Sequence, residues 1–173
     1  TQQLHINIIE GVLRAVIFIA YVAIIGLWPD IREVFRYHGA EHKTINAFEA
    51  EMKMTPENIM KCSRIHPRCG TSFLLIAVIV SIIIFSPVKT LVSGESFIMQ
   101  VIARIILIPL VIGISYEIIK LASNSGKIGL CFISPFLTLQ YLTTREPNIN
   151  QAEIALISLD TALENAISKG VRK

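Results

Sequence analysis

The stretch TSFLLIAVIVSIIIF, residues 71–85, contains no charged residue and decides the class of the fold. Two further segments resemble it: residues 6–28 and residues 97–121, while the apolar character of the first stretch extends to about residue 92. About 20 mostly apolar residues cross a bilayer as a helix. The sequence therefore predicts three transmembrane helices, at 6–28, 71–92 and 97–121.

The composition of the 173 residues supports a membrane protein. Hydrophobic residues make up 53% and charged residues only 17%, against about 25% charged residues in soluble domains. The net charge of +3 is scattered, which excludes the basic stripe of a nucleic-acid-binding protein. Three cysteines do not make a secreted disulfide framework. The chain begins at Thr1 without a methionine, so we expect an additional N-terminal part in the natural protein.

The remaining segments predict shorter helices and an all-α fold in one membrane domain, residues 1–173. The loop 29–70 predicts a helix from about Ile31 to Met52 and a second short helix that begins near Thr55. Residues 128–142 are apolar but short and broken by a proline, which favours an interfacial or re-entrant segment, with a fourth span as the alternative. Residues 151–170 have helical apolar periodicity and predict an amphipathic helix.

Lysine and arginine counts predict the orientation in the membrane. The loop 29–70 contains seven and the tail after residue 121 contains five, whereas the hairpin between the second and third spans has Lys89 alone. Basic loops stay in the cytoplasm, and three spans put these two segments on the same side. We therefore expect a multi-pass protein of the bacterial plasma membrane with the loop and the C-terminus cytoplasmic.

The segment RYHGAEHKTINAFE, residues 36–49, predicts a metal site. On a helix, with about 100° per residue, Glu41, His42 and Glu49 fall at about 300°, 40° and 20° from His38, all on one side. Two histidines one turn apart can bind one divalent ion. H-x-x-E-H is the pattern of inverted zincins, in which the two histidines bind zinc and the glutamate transfers a proton of the metal-bound water. Zinc is the expected metal.

A catalytic zinc site requires a third protein ligand. The sequence HPRCG offers His66 or Cys69, and Glu49 or Glu117 would supply a carboxylate. Cys62 lies seven residues before Cys69. The choice among these ligands is left open by the sequence.

Each of these residues also has a structural interpretation. The two histidines of the H-x-x-E-H pattern would bond to backbone carbonyl groups, and Cys69 would be a small buried apolar side chain. Glu10 and Arg14, four residues apart, predict an ion pair that lowers the cost of inserting both. Arg104 would pair inward or extend to the interface, and Glu117 would pair with its neighbour Lys120.

Four segments resemble a known family: YHGAEHKTINAFE (37–49), HPRCGTSF (66–73), GISYEIIKLA (113–122) and TTREPNINQAE (143–153). In matching order over essentially the whole chain, they are similar to the YqhQ-like bacterial membrane proteins, an uncharacterised family labelled as predicted metal-dependent enzymes. The resemblance implies motif positions at His38, Glu41, His42, Lys43, Glu49, His66, Arg68, Cys69, Glu117, Arg145, Glu146 and Glu153. Cys62 lies outside these motifs.

The sequence thus predicts a membrane-embedded metal-binding protein, with three alternative functions. The first is a zinc-dependent hydrolase at the cytoplasmic face, with Glu41 as general base and with Lys43 or Arg68 steadying an oxyanion or a phosphate group. The second is a homo-oligomeric cation channel or transporter. The third is a structural or regulatory protein in which a metal or polar cluster fixes the loop. The bilayer is the expected partner in every case, and nucleic acid in none.

Overall fold

The computed structural model describes residues 2–91, 94 and 96–168, and in these residues every regular element is a helix. The elements are α1 Gln2–Ile25, α2 Pro29–Glu49, α3 Pro56–Met60, α4 Gly70–Leu91, α5 Phe97–Asn124, α6 Gly126–Leu137, α7 Gln140–Thr143 and α8 Ile149–Ser168. The predicted all-α class is confirmed. The predicted C-terminal helix is α8, and residues 169 and 170 of that prediction lie outside the described residues.

Within the described residues, two helices are long and apolar enough to cross a membrane by themselves. They are Gly70–Val88 within α4, with a mean hydropathy of 2.5, and Phe97–Asn124, with a mean hydropathy of 2.4. A third span is counted only if α1 and α2, separated by the break at residues 26–28, are taken as one bent span. The chain is therefore a membrane protein with two or three candidate spans. The predicted segment 128–142 forms α6 and α7, and its location in the bilayer stays a prediction.

The contacts divide the chain into two compact units. Unit 1 contains the described residues of Thr1–Val22 and Pro67–Leu139, and unit 2 contains those of Ala23–His66 and Gln140–Lys173. The core of unit 1 lies between α4 and α5, where Ile76, Val80, Val111 and Ile119 are buried. Gly126, at φ 60°, allows the sharp turn from α5 into α6.

Unit 2 packs α2, α3 and α8 around Ala47, Ile59 and Ala152, all three fully buried. Thr55 caps α3, as the sequence predicts, by accepting a hydrogen bond from the main-chain N–H of Asn58 at 3.4 Å. Unit 2 as a whole, including the loops that follow α3 and α7, carries nine of the twelve motif residues, so it contains the candidate site.

The start of α8 is fixed by a reciprocal cap. The side chain of Asn148 accepts from the N–H of Gln151 at 2.9 Å, and the side chain of Gln151 accepts from the N–H of Asn148 at 2.8 Å. The side-chain N–H of Gln151 also donates to Glu33 of α2 at 2.6 Å. One buried glutamine therefore both starts α8 and ties it to the helix that carries the histidine motif.

Candidate metal site

Helix α2 brings His38 and His42 together, as their i, i+4 spacing predicts. The centroids of the two rings are 4.3 Å apart in an edge-to-face arrangement. One ring nitrogen of each histidine lies within 4.8 Å of the other, compared with about 3.3 Å between two nitrogens on one tetrahedral zinc at bond lengths of about 2.05 Å. A small side-chain adjustment would therefore let both rings bind one ion.

Both rings are oriented by carbonyl groups. Nδ1 of His38 lies 2.8 Å from the carbonyl oxygen of Thr143, and Nδ1 of His42 lies 2.7 Å from that of Arg64. A carbonyl oxygen only accepts, so each Nδ1 is the protonated donor. In the neutral ring the lone pair is then on Nε2, which is the arrangement of metal-binding histidines whose second nitrogen bonds to the protein. The donor chemistry fits a divalent metal.

His66 and Glu49 form a second polar pair beside this one. The His66 ring is buried, its centroid is 5.9 Å from that of His42, and its Nε2 lies 3.4 Å from Oε2 of Glu49. The main chain of His66 is held by the fully buried Gln140, which accepts from its N–H at 2.9 Å and donates to its carbonyl at 2.7 Å. The structure thus brings one predicted ligand, His66, next to His42, and places a second, Glu49, beside His66.

The ammonium group of Lys43 is bound by groups of the protein itself. Its side chain is buried, and Nζ donates to the carbonyl oxygens of Met60 and Cys62, each at 2.8 Å, and pairs with Glu146 at 2.6 Å. An ammonium group has three N–H donors, and these three contacts use all of them. The geometry therefore does not support the predicted role of Lys43 in binding an oxyanion, and instead shows why the loop folds back on α2.

One face of α2 holds the loop 60–65 through main-chain carbonyl groups. Asn46 donates to the carbonyl oxygens of Ser63 at 2.7 Å and Ile65 at 3.0 Å. With the bonds of His42 and Lys43, five loop carbonyls are bound, those of Met60, Cys62, Ser63, Arg64 and Ile65. This network positions the chain that leads to His66.

A groove between α2 and α8 gives access to the motif. Its volume is about 540 Å³, and its wall is mostly apolar, with Val34, Ile45, Ile154 and Leu159 among the lining residues. His38 and the exposed Glu41 line the same groove. The carboxylate of Glu41 and the imidazole of His38 thus line a solvent-accessible, largely apolar groove.

Three predicted site residues belong to unit 1. Cys69 is buried, with its sulfur 3.1 Å from the hydroxyl of Thr71. Arg68 is exposed and lines a unit 1 cavity together with Cys69. Glu117 pairs with Lys120 at 3.3 Å, as the structural interpretation expects. Their participation in a metal or catalytic site stays a prediction.

The family described as "Protein of unknown function (DUF1385)" matches residues 1–165. The chain belongs to this family. A relative, "Uncharacterized protein YqhQ" of Bacillus subtilis (strain 168), is 40% identical over 157 residues, which are 90% of this chain and 48% of that protein. The chain therefore spans about half the length of the curated relative that it matches. No solved structure matches the chain. The resemblance drawn from the motifs is confirmed.

The segment TTREPNINQAE, one of the four segments that carry the resemblance to the YqhQ-like family, makes several contacts that support α2. Thr143 orients His38, Glu146 pairs with Lys43, and the N–H of Arg145 donates to the carbonyl of Phe35 at 2.8 Å. Sequence reasoning missed these supporting roles, and it missed Gln140 altogether. The motif itself was the only available signal, because none of these contacts is local in sequence.

Proposed function

We propose that this protein is a membrane protein that binds a divalent metal ion, with zinc as the first candidate, through Nε2 of His38 and His42. The observation that carries the proposal is the pair of carbonyl bonds to Nδ1 of the two rings. These bonds, which the structural interpretation also expects, leave the lone pair of each neutral ring on Nε2, the nitrogen proposed to bind the metal, and the ring centroids are 4.3 Å apart. The surrounding network would hold the ligands in place before the ion arrives.

The third ligand in this proposal is supplied by unit 2. His66 is buried beside His42, and its partner Glu49 would orient the ring as a carboxylate orients a metal-bound histidine. Glu49 is partly exposed, with 39% of its side chain accessible, so it is also able to serve as a ligand. Cys69 is retained as the sulfur alternative that the sequence predicts.

Metal-assisted hydrolysis is the reaction class that we propose for the site. A bound divalent ion supplies a Lewis acid and an activated water at neutral pH. Glu41 is exposed and lines the groove with His38, which would let it take a proton there. The apolar wall of the groove would bind an apolar portion of the substrate, such as that of a peptide or a lipid-linked molecule. The charge counts support a cytoplasmic location for this chemistry.

A structural role is the second candidate, and a specific observation favours it. Five main-chain carbonyls of the loop 60–65 are bound by His42, Lys43 and Asn46. These bonds would stabilise the fold without any ion. The homo-oligomeric transporter remains a further alternative from the sequence, since the span count requires several subunits to enclose a pore.

Metal analysis of the purified full chain separates the two leading candidates. Histidine to asparagine substitutions are informative, because the asparagine amide can still donate to the carbonyl that Nδ1 bonds but has no Nε2 lone pair. We expect about one zinc per chain in the wild type and a loss of most of it in His38→Asn and His42→Asn. His5→Asn, at an exposed histidine of α1, is the matched control and should keep its metal.

Two results would decide against the metal proposal. One is a wild-type protein that, after dialysis against zinc, contains far less than one ion per chain. The other is a metal content that is unchanged in both α2 variants. Parallel measurements on His66→Ala, Glu49→Gln and Cys69→Ser identify the third ligand, since only the ligand's own variant should weaken zinc binding as much as an α2 variant does.

A further inference from the structure

A small cavity with several polar lining residues lies in unit 1, among α1, α4 and α5. Its volume is about 120 Å³. The polar residues that line it are Glu10, Arg14, Ser81, Ser86 and Arg104. The helices around it are otherwise strongly apolar, and α5 is one of the two helices that are able to cross a membrane alone.

Among the described residues that line this cavity, the charges do not balance. The described lining residues supply two guanidinium groups and one carboxylate, and Arg14 forms an ion pair with Glu10. Arg104 is half-buried, and it has no hydrogen-bond or ion-pair partner within the described part of the chain. A charged side chain inside an apolar span is costly unless it meets a partner. Among these described residues, the guanidinium group of Arg104 is therefore the charge that a ligand would neutralise.

We propose that this cavity binds a singly charged phosphate group, with Arg104 and Arg14 as its ligands. The planar guanidinium fork matches two phosphate oxygens, which makes arginine the preferred side chain for this group. The cavity offers about four water volumes at ~30 Å³ each, which is room for a phosphate group but not for a bulky ligand. The net charge of +1 from the charged lining residues matches a phosphodiester or dihydrogen phosphate.

The position of the cavity along the helices favours access from a membrane surface. Ser86 lies five residues before the end of α4, and Arg104 lies seven residues after the start of α5. At 1.5 Å per residue these are about 8 and 10 Å from the helix ends. Arginine stems extend over such distances toward the interface, so the phosphate of a lipid headgroup can approach as readily as free phosphate.

Thermal unfolding of the full chain, purified in phosphate-free detergent, tests this site. Three compounds are added separately: dihexanoyl phosphatidylglycerol, inorganic phosphate, and dihexanoyl glycerol, which lacks the phosphate. A ligand that binds the folded state raises the midpoint of unfolding. We expect a rise with at least one phosphate compound and none with dihexanoyl glycerol, and the responding compound identifies the source.

Substitutions at Arg104 assign the effect to the cavity. Loss of a charge-assisted contact should raise the concentration of phosphate compound needed for a given rise by about tenfold or more in Arg104→Gln. Arg104→Lys keeps the charge but lacks the fork, and should show a smaller weakening; it also serves if Arg104→Gln does not fold. Arg32→Gln, at an exposed arginine of α2, is the matched control and should respond as the wild type does.

Three outcomes would overturn the phosphate site. The first is the absence of any rise with either phosphate compound. The second is an equal rise with dihexanoyl glycerol, which would indicate binding of acyl chains. The third is an undiminished response in the Arg104 variants, which would place the phosphate elsewhere on the protein.

Discussion

Gly39, between the two histidines of α2, is a position where one added methyl group should destabilise the candidate site. It is buried, and a Cβ atom there would overlap the carbonyl oxygen of Arg145. That oxygen belongs to the main chain and cannot rotate away. Two hydrogen bonds, both of 2.8 Å, hold the same segment against α2. The N–H of Arg145 donates to the carbonyl of Phe35, and the carbonyl of Thr143 accepts from Nδ1 of His38. Gly39→Ala must therefore push this segment off the helix.

The expected loss follows from three contributions. Overpacking a tight contact costs about 2 kcal/mol, and each of the two hydrogen bonds that the displacement breaks contributes about 1 kcal/mol. Alanine returns about 1 kcal/mol through its higher helix propensity. The net destabilisation is about 3 kcal/mol, which corresponds to a midpoint about 6–12 °C lower for a chain of this size.

The assay is thermal unfolding in detergent, followed by circular dichroism, with Gly113→Ala as the control. Gly113 lies inside α5, and a Cβ atom there would meet no atom within 4 Å. Gly113→Ala should leave the midpoint unchanged or raise it slightly. A Gly39→Ala midpoint within about 2 °C of the wild type would refute the close packing of α2 against residues 143–146.

Two further substitutions test the supports of the site. Lys43→Met removes the donor to two loop carbonyls, and we expect a loss of about 2 kcal/mol in the free energy of unfolding. The control Lys61→Met, at an exposed lysine, should change the free energy of unfolding by less than about 0.5 kcal/mol. Equal effects of the two substitutions would contradict the structural role of Lys43. Gln140→Leu leaves the buried N–H and carbonyl of His66 without their side-chain partner and should cost about 2 kcal/mol. Faster amide hydrogen exchange at His66 would confirm the reason, and unchanged exchange would contradict it.

The apolar helices could be predicted from the sequence to within a few residues. An uncharged run as long as residues 71–85 has almost no alternative to a helix in lipid, because every backbone polar group must be satisfied within the segment. The observed α4 and α5 begin at Gly70 and Phe97, against predicted starts at 71 and 97. The first predicted span, residues 6–28, contains Glu10 and Arg14, and the helix α1 ends at Ile25, before the break that precedes Pro29.

The histidine pair was predictable for a similar reason. Two residues four apart on a helix are neighbours whatever the rest of the fold does. The environment of the pair was not predictable, because it depends on contacts between distant segments: the carbonyl that orients His38 belongs to Thr143, and the amide that holds His66 belongs to Gln140. The contacts of Lys43 were unpredictable for the same reason. Its place in the motif indicated a functional residue, whereas its bonds to Met60, Cys62 and Glu146 indicate that it stabilises the fold.

The central proposal, that Nε2 of His38 and of His42 bind one divalent metal, is tested most directly by X-ray absorption at the zinc edge of the zinc-loaded protein. We expect at least two imidazole ligands at about 2.0–2.1 Å, with one lost in His42→Asn and none lost in His5→Asn. A sulfur ligand at about 2.3 Å that disappears in Cys69→Ser would add the thiol to the site. A spectrum without imidazole scattering, or one that is unchanged in His42→Asn, would contradict the proposal.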